Sequence, residues 1–125
     1  MKYEIRSEAK DLIERTKRFA LGIIRFYAVL PKSPEAQILG KQLLRAGTSV
    51  GANYREAFRS RSKAEFIAKS GDCLKELEET AYWFELLAEG GIFSSERLNT
   101  LNSECHELIA IFVTILKRSR SNAAL

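Results

Sequence analysis

Between residues 66 and 116 the chain carries two apolar stripes whose period leaves little choice of fold. Phe66, Ser70, Cys73, Leu77, Thr80, Phe84 and Leu87 step by alternating four and three, an a/d heptad pattern over three heptads. Leu98, Leu101, Cys105, Leu108, Phe112 and Ile115 repeat it. Ile67, Leu74, Ala81 and Ala88 widen the first stripe, and Ile109 and Leu116 flank the second. Such stripes are helix faces that need other helices to cover them. Upstream, Phe19, Ile23, Phe26, Tyr27 and Leu30 recur at three and four, with Ala20 and Ile24 alongside. No period-two alternation competes.

Punctuation residues divide the helical pattern. Pro31 stops the first helix, Ser33 is a natural N-cap, Pro34 suits the first helical position, and Glu35 sits near the positive helix end. Ser62 with Glu65 forms a capping box before Phe66. Gly90-Gly91 ends the third helix with one residue able to turn left-handed, and Ser94 or Ser95 starts the fourth, with Glu96 in its first turn. Asp11 with Glu14 resembles a cap for the first helix, and Ser7 is an equal candidate. After Lys117 the chain turns polar and basic and is expected to fray. The boundaries predict helices over about 8–30, 34–59, 63–89 and 95–118 in one domain, 1–125. With short loops between them, the fold class is all-α, an up-down-up-down antiparallel four-helix bundle.

Helix two is unusual. In QLLRAGTSVGANYRE, Gln42 to Glu56, apolar residues alternate with Ala46, Gly47, Ser49, Gly51 and Ala52. Each glycine costs a helix interior roughly 1 kcal/mol relative to alanine. Two glycines four apart share a face, which predicts the close approach of a neighbouring backbone. If helices two and three turn about Arg61, Arg45 lies level with Glu76 and Gln42 with Glu79, while Ser49 and Asn53 face the first turns of helix three. A polar seam of Gln42, Arg45, Ser49, Asn53, Glu76 and Glu79 is therefore expected through an otherwise apolar interface, with removal of either Arg45 or Glu76 costly.

Composition bounds the function classes. At 125 residues, 46% hydrophobic and 29% charged, the chain can build one core and is far from disorder. No run approaches eighteen uncharged apolar residues and the N-terminal MKYEIRSEAK has no apolar stretch, so neither a membrane span nor a signal peptide is read, no membrane partner is expected, and the expected compartment is the cytoplasm. Cys73 and Cys105 sit in apolar patterns and read as small buried hydrophobes. His106 is the only histidine, and the Glu-x-x-His that a di-metal bundle needs would require glutamate where Ser103 stands. No nucleophile–base set or phosphate loop is present either. The expectation is a non-enzyme with no metal and no cofactor.

The net charge of +4 is uneven: residues 1–63 hold 14 Lys and Arg against 6 Asp and Glu, and residues 64–125 hold 6 against 10. The halves are thus +8 and −4. Such a split can give a basic face for an acidic partner or two faces that attract between subunits.

The run LPKSPEAQILGKQLLRAGTSVGANYREAFRSRSKAEF, followed by LKELEETAYWFELL, resembles a bacterial four-helix-bundle family that includes the proteins encoded by intervening sequences in large-subunit ribosomal RNA genes. The resemblance spans about residues 10–117 and is most specific at GTSVGANYREA and at Glu76, Glu79, Thr80, Tyr82 and Trp83. Departures fall at Ala46, where serine is usual, at Phe58 in a small-residue position, and at Gly71-Asp72, which predicts weakened helix order there. The resemblance implies a cytosolic homo-oligomer without enzymatic activity, with ring-shaped pentamers among relatives. A related branch, the accessory variability determinant of diversity-generating retroelements, is similar in fold; it implies a basic barrel that binds nucleic acid and a reverse transcriptase.

Two function classes follow. One is an oligomeric nucleic-acid-binding or adaptor protein, for RNA or DNA, using Arg55, Arg59, Arg61 and Lys63 at the helix two–three turn with Arg15, Lys17 and Arg18 of helix one; Arg25 decorates the same helix. No RNA-binding motif accompanies these cations, and the pattern exposes no aromatic platform. The alternative is a protein-interaction scaffold for a neighbouring gene product. Tyr54, Phe58, Tyr82 and Trp83 cannot all enter one core, and any left outside are candidates for a subunit interface.

Overall fold

The structure, a computed structural model, describes the backbone of residues 2–124 and the side chains of residues 11–121. Four helices follow one another: α1 (Lys2–Ala28), α2 (Pro34–Phe58), α3 (Lys63–Glu89) and α4 (Ser95–Ala124). Each packs on its sequence neighbours, and α1 touches α4 only sparingly. The bundle is all-α and antiparallel, with no strand among the described residues.

The caps fall where the local chemistry places them. Ser33 is extended and its hydroxyl accepts from the Ala36 N–H at 3.4 Å. Gln37 fastens the same turn, donating to the Pro31 carbonyl at 2.8 Å and accepting from the Tyr27 hydroxyl at 3.1 Å. Ser62 accepts from the Glu65 N–H at 3.0 Å, while the Glu65 carboxylate reaches past it to the Arg61 N–H at 3.2 Å. At the α3 terminus Gly91 takes φ +69°. The Ile92 N–H then bonds the Leu87 carbonyl and the Gly91 N–H the Ala88 carbonyl, both at 3.1 Å, which is a Schellman closure.

Three boundaries depart from the sequence reading. α1 runs through Asp11 and Glu14 without a cap, because residues 2–10 hold no proline or glycine and continue the helix; the Ser7 side chain lies outside the described residues. α1 closes at Ala28, and Val29 and Leu30 bond three residues back in a tightened last turn before Pro31. α4 extends past Lys117 to Ala124. Helix α3 is unbroken through Gly71.

The core contains the expected α3 stripe from Ser70 to Leu87, with Phe66 only half-buried at its start. In α4 the buried set is Leu98, Cys105, Leu108, Phe112 and Leu116, so the last position is Leu116 and not Ile115. A straight helix drifts about 20° per heptad, and the stripe slips by one residue to follow it. In α1, Leu12 and Thr16 join Phe19, Ile23 and Phe26, with Leu30 buried just past its end, whereas Ile24 is 47% exposed. Phe26 meets Phe84 edge-on across the bundle at 6.1 Å, and Tyr54 meets Phe112 at 5.6 Å. Both cysteines are free and buried. Cys73 Sγ–H points at the Val50 carbonyl (3.5 Å) and Cys105 Sγ–H at the Leu77 carbonyl (3.3 Å). Burial pushes each thiol up to about 12, so both are packing residues with little thiolate character at neutral pH.

The small face of α2 lies on α1. A Cβ added at Gly47 would stand 2.8 Å from Ile23 Cγ1, and one at Gly51 would stand 3.5 Å from the Thr16 backbone carbon. The close approach is thus a branched side chain seated at Gly47 and backbone at Gly51. By contrast, nothing lies within 4 Å of a Cβ at Gly71. Gly47→Ala should destabilise by about 1–2 kcal/mol, because Ile23 is fully buried and branched at the clash. Gly71→Ala should stabilise by about 0.5–1 kcal/mol through helix propensity alone. Urea denaturation of the two variants checks the pair; the reverse signs would refute the packing account.

Candidate nucleic-acid interface

The antiparallel order gathers chain segments distant in sequence at one end of the bundle. α2 ends and α3 begins there, joined by Arg59 to Ser62, and α4 ends there too. Tyr54 against Phe112 fixes the level: the residues that follow Phe112 stand beside the end of α2. Arg55, Arg59, Arg61 and Lys63 are all exposed, as are Lys117, Arg118 and Arg120 of α4. None of these seven pairs with an acid among the described residues. Of the nearby acids, Glu56 binds Lys69 at 2.8 Å, Glu65 accepts from the Arg61 N–H at 3.2 Å, and Asp11 of α1, which begins at this end, is exposed; the seven cations outnumber them. This end is therefore a basic pole. Sequence reasoning put the turn arginines in it and missed the three α4 cations. Their signal was the up-down order itself, which places the ends of α2 and α4 together.

The α1 cations lie elsewhere. Thr16 packs at Gly51, so Arg15, Lys17 and Arg18 stand about one turn from the level of Arg55 and about two from that of Arg59. Arg15 grips Glu104 of α4 with two bonds, 2.8 Å from Nε and 2.7 Å from Nη2, and reaches Glu107 at 3.5 Å. The bond to Glu104 leads in holding the guanidinium's pKa above its ordinary value, with the charges of Glu104 and Glu107 adding to it. Arg15 is a strut between α1 and α4, not a free cation. Lys17 is exposed, and Arg18 edges a cleft of about 420 Å³ between these helices, which Glu104 and Glu107 also line.

On the α2–α3 flank, Arg45 lies between two carboxylates. Its Nη2 donates to Glu79 Oε2 at 2.9 Å, and its Nη1 stands 3.7 Å from Glu76 Oε2. Of the six seam candidates the structure brings these three together. Gln42 is exposed, Ser49 turns back to the Arg45 carbonyl at 2.6 Å, and Asn53 is half-buried. The pairing is shifted by one helical step from the sequence register, with Glu79 the closer partner. Glu76 is the more enclosed of the two acids, its side chain 17% exposed, and its Oε2 is buried without a hydrogen bond among the described residues. Burial raises its pKa, Glu79 adds to the rise, and Arg45 opposes it.

The four aromatic candidates divide. Tyr54 is a core residue, 3% exposed, with its hydroxyl pushed up to about 12 by burial, and it is not available to a partner. Phe58 is 43% exposed and Tyr82 52%. Trp83 is half-buried against the core, 5.2 Å from the Tyr82 ring, and its indole N–H is buried without a partner among the described residues. Phe58 and Tyr82 are thus the aromatic candidates that the structure leaves exposed. Among the described residues no group of three or more His, Cys, Asp or Glu could hold a metal ion, and no helix is long and apolar enough to cross a membrane.

The family model of the 23S rRNA-intervening sequence protein matches residues 8–114. A similar solved structure is a protein of unknown function from the S23 ribosomal protein family of Bacteroides thetaiotaomicron VPI-5482. It is 35% identical, with a TM-score of 0.81, over 87% of this chain and 97% of that one. No curated protein matches the chain.

The seam generates a pH-dependent expectation. The folded chain holds the Glu76 proton more tightly than the unfolded chain does. Glu76 thus favours folding at pH below the ordinary value of 4.5, and that contribution is lost as pH rises through the raised folded value. This reverses the sequence expectation that loss of Glu76 is costly, because burial outweighs the attraction of Arg45: Glu76→Gln should raise the melting temperature at pH 7, with the gain shrinking as pH falls toward 4. Arg45→Met should lower stability at pH 7 by up to about 1 kcal/mol, since Arg45 is half-exposed and its loss leaves two acids facing each other. Melting curves of both variants from pH 4 to 8 check this; a Glu76→Gln protein less stable than wild type at pH 7 would overturn it.

Proposed function

The chain belongs to the 23S rRNA-intervening sequence protein family, and from that premise and the basic pole we propose that it is a non-enzymatic, oligomeric nucleic-acid-binding or adaptor protein of the cytoplasm, with RNA the favoured ligand. The observation that carries the reading is the pole itself. Seven exposed cations from the α2–α3 turn and the α4 terminus stand at that end, none in an ion pair among the described residues. Phosphate contacts of this kind give affinity without demanding a base sequence. Repetition of the pole around an oligomer would multiply those contacts, and the pentamers implied by the resemblance offer one such arrangement.

A second reading, a protein-interaction scaffold, has its own observation. Ile38 is 63% exposed and Tyr82 52%, and half-buried Trp83 adjoins Tyr82. By the α2–α3 register, Ile38 stands about one turn from Tyr82 and Trp83, at the end of the bundle away from the basic pole. An exposed apolar group of this kind suits a subunit or partner contact.

Titration of the purified protein with a structured RNA at two salt concentrations, with double-stranded DNA as competitor, tests the first reading. Binding should weaken steeply with salt. The Arg55→Ala/Arg59→Ala/Arg61→Ala variant should lower the log–log salt slope by roughly 0.7–0.9 for each phosphate that is no longer neutralised. No binding at low salt would refute nucleic-acid recognition and favour the scaffold.

A further inference from the structure

We propose that Phe58 is a stacking platform, and that the basic pole takes single-stranded RNA with an unstacked base in preference to a duplex; this deepens, and rests on, the nucleic-acid reading above. Phe58 is the last residue of α2 and its side chain is 43% exposed. Its surroundings in the chain are cationic. Arg55 lies three residues earlier, one helical turn up the same side, and Arg59 and Arg61 follow in the turn. All three arginines are exposed. Tyr54, one turn before Phe58, is buried in the core, so α2 changes from burying to presenting its aromatics within a single turn.

An exposed phenyl ring at the end of a surface helix gains little for folding, and a small residue would serve the turn as well. Set among guanidinium groups it acquires a use. A ring face stacks on a nucleobase of any identity, while the flanking arginines hold the phosphates on either side of that base. The second exposed large aromatic among the described residues, Tyr82, sits in the opposite potential, with Glu78, Glu79 and Glu85 three or four residues away on α3. Of the two, only Phe58 combines an accessible ring with positive charge. A continuous duplex keeps its base faces stacked on each other, so a ring on a convex pole could reach only its backbone. The discriminating ligand is therefore a strand or loop with a base free to leave the stack.

The experiment uses the full chain and two fluorescein-labelled probes, a 15-nucleotide oligouridine RNA and a blunt 15-base-pair RNA duplex, followed by anisotropy at low and moderate salt. Wild type should prefer the single strand. Phe58→Ala should weaken single-strand binding by about 5- to 100-fold, leave the salt slope unchanged and leave duplex binding unaltered. Phe58→Trp should retain or strengthen single-strand binding, which separates stacking from a mere change in fold. Thermal melting and mass measurement of both variants accompany the titrations. Single-strand binding unaffected by Phe58→Ala but abolished without the three arginines would refute the platform and keep the nucleic-acid reading. An equal weakening for both probes, or a change of oligomeric mass in Phe58→Ala, would also refute the platform, in the latter case marking Phe58 as a subunit contact. No binding of either probe by wild type at low salt would refute both.

Discussion

The arrangement of this bundle depends on one contact, the seating of α1 into the small face of α2. Ile23 fills the space that a side chain at Gly47 would need, and the backbone at Thr16 lies in van der Waals range of Gly51. Two glycines weaken α2 as an isolated helix, so the helix is held by its neighbours more than by its own propensity. The close approach also commits the rest of the α2 surface. With one flank fixed on α1, the opposite flank must meet α3, and Arg45 falls between Glu76 and Glu79 as a consequence of where Gly47 points. A fault at the α1–α2 contact would therefore be felt in the polar seam on the far side of α2.

Much of this was legible because helical periodicity is a local signal. The stripes from Ser70 to Leu87 and from Leu98 to Phe112, the caps at Ser33 and Ser62, and the left-handed Gly91 are each written within a few residues. What escaped was set by geometry beyond that range. Ile115 yielded to Leu116 because a straight helix does not keep a seven-residue period. Arg45 meets Glu76 as expected but lies closer to Glu79, one turn further along α3. Ile24 pointed outward because α1 packs closely on α2 alone, its contact with α4 being sparse.

The candidate site was less legible than the fold, for a related reason. Charge counts by sequence half placed Arg15, Lys17 and Arg18 with the turn arginines, yet in three dimensions Arg15 is bound by Glu104 on the α1–α4 flank. Residues of the acidic half, Lys117, Arg118 and Arg120, stand beside the turn arginines. A division along the chain is not a division in space when four helices run alternately up and down. The family match does not resolve this on its own, because a fold carries many tasks and the task resides in the site.

The sides and the ends of such a bundle are under different constraints. A flank is shared by two long helices, and its charges tend to find opposite partners across the groove, as Arg15 and Arg45 do. An end is met by chain termini and a short turn, whose side chains radiate and lack a facing helix. Cations collected there have no acidic partner among the described residues, and the nearest α2 acid, Glu56, is held by Lys69. Burial makes the same distinction among the aromatics. Tyr54 has α4 to lie against and its ring is enclosed, whereas Phe58, one turn nearer the end, is left partly in solvent. Unpaired surface charge is thus a product of where the helices stop, and the four residues from Arg55 to Phe58 mark the transition from core to solvent-exposed surface within one turn of α2.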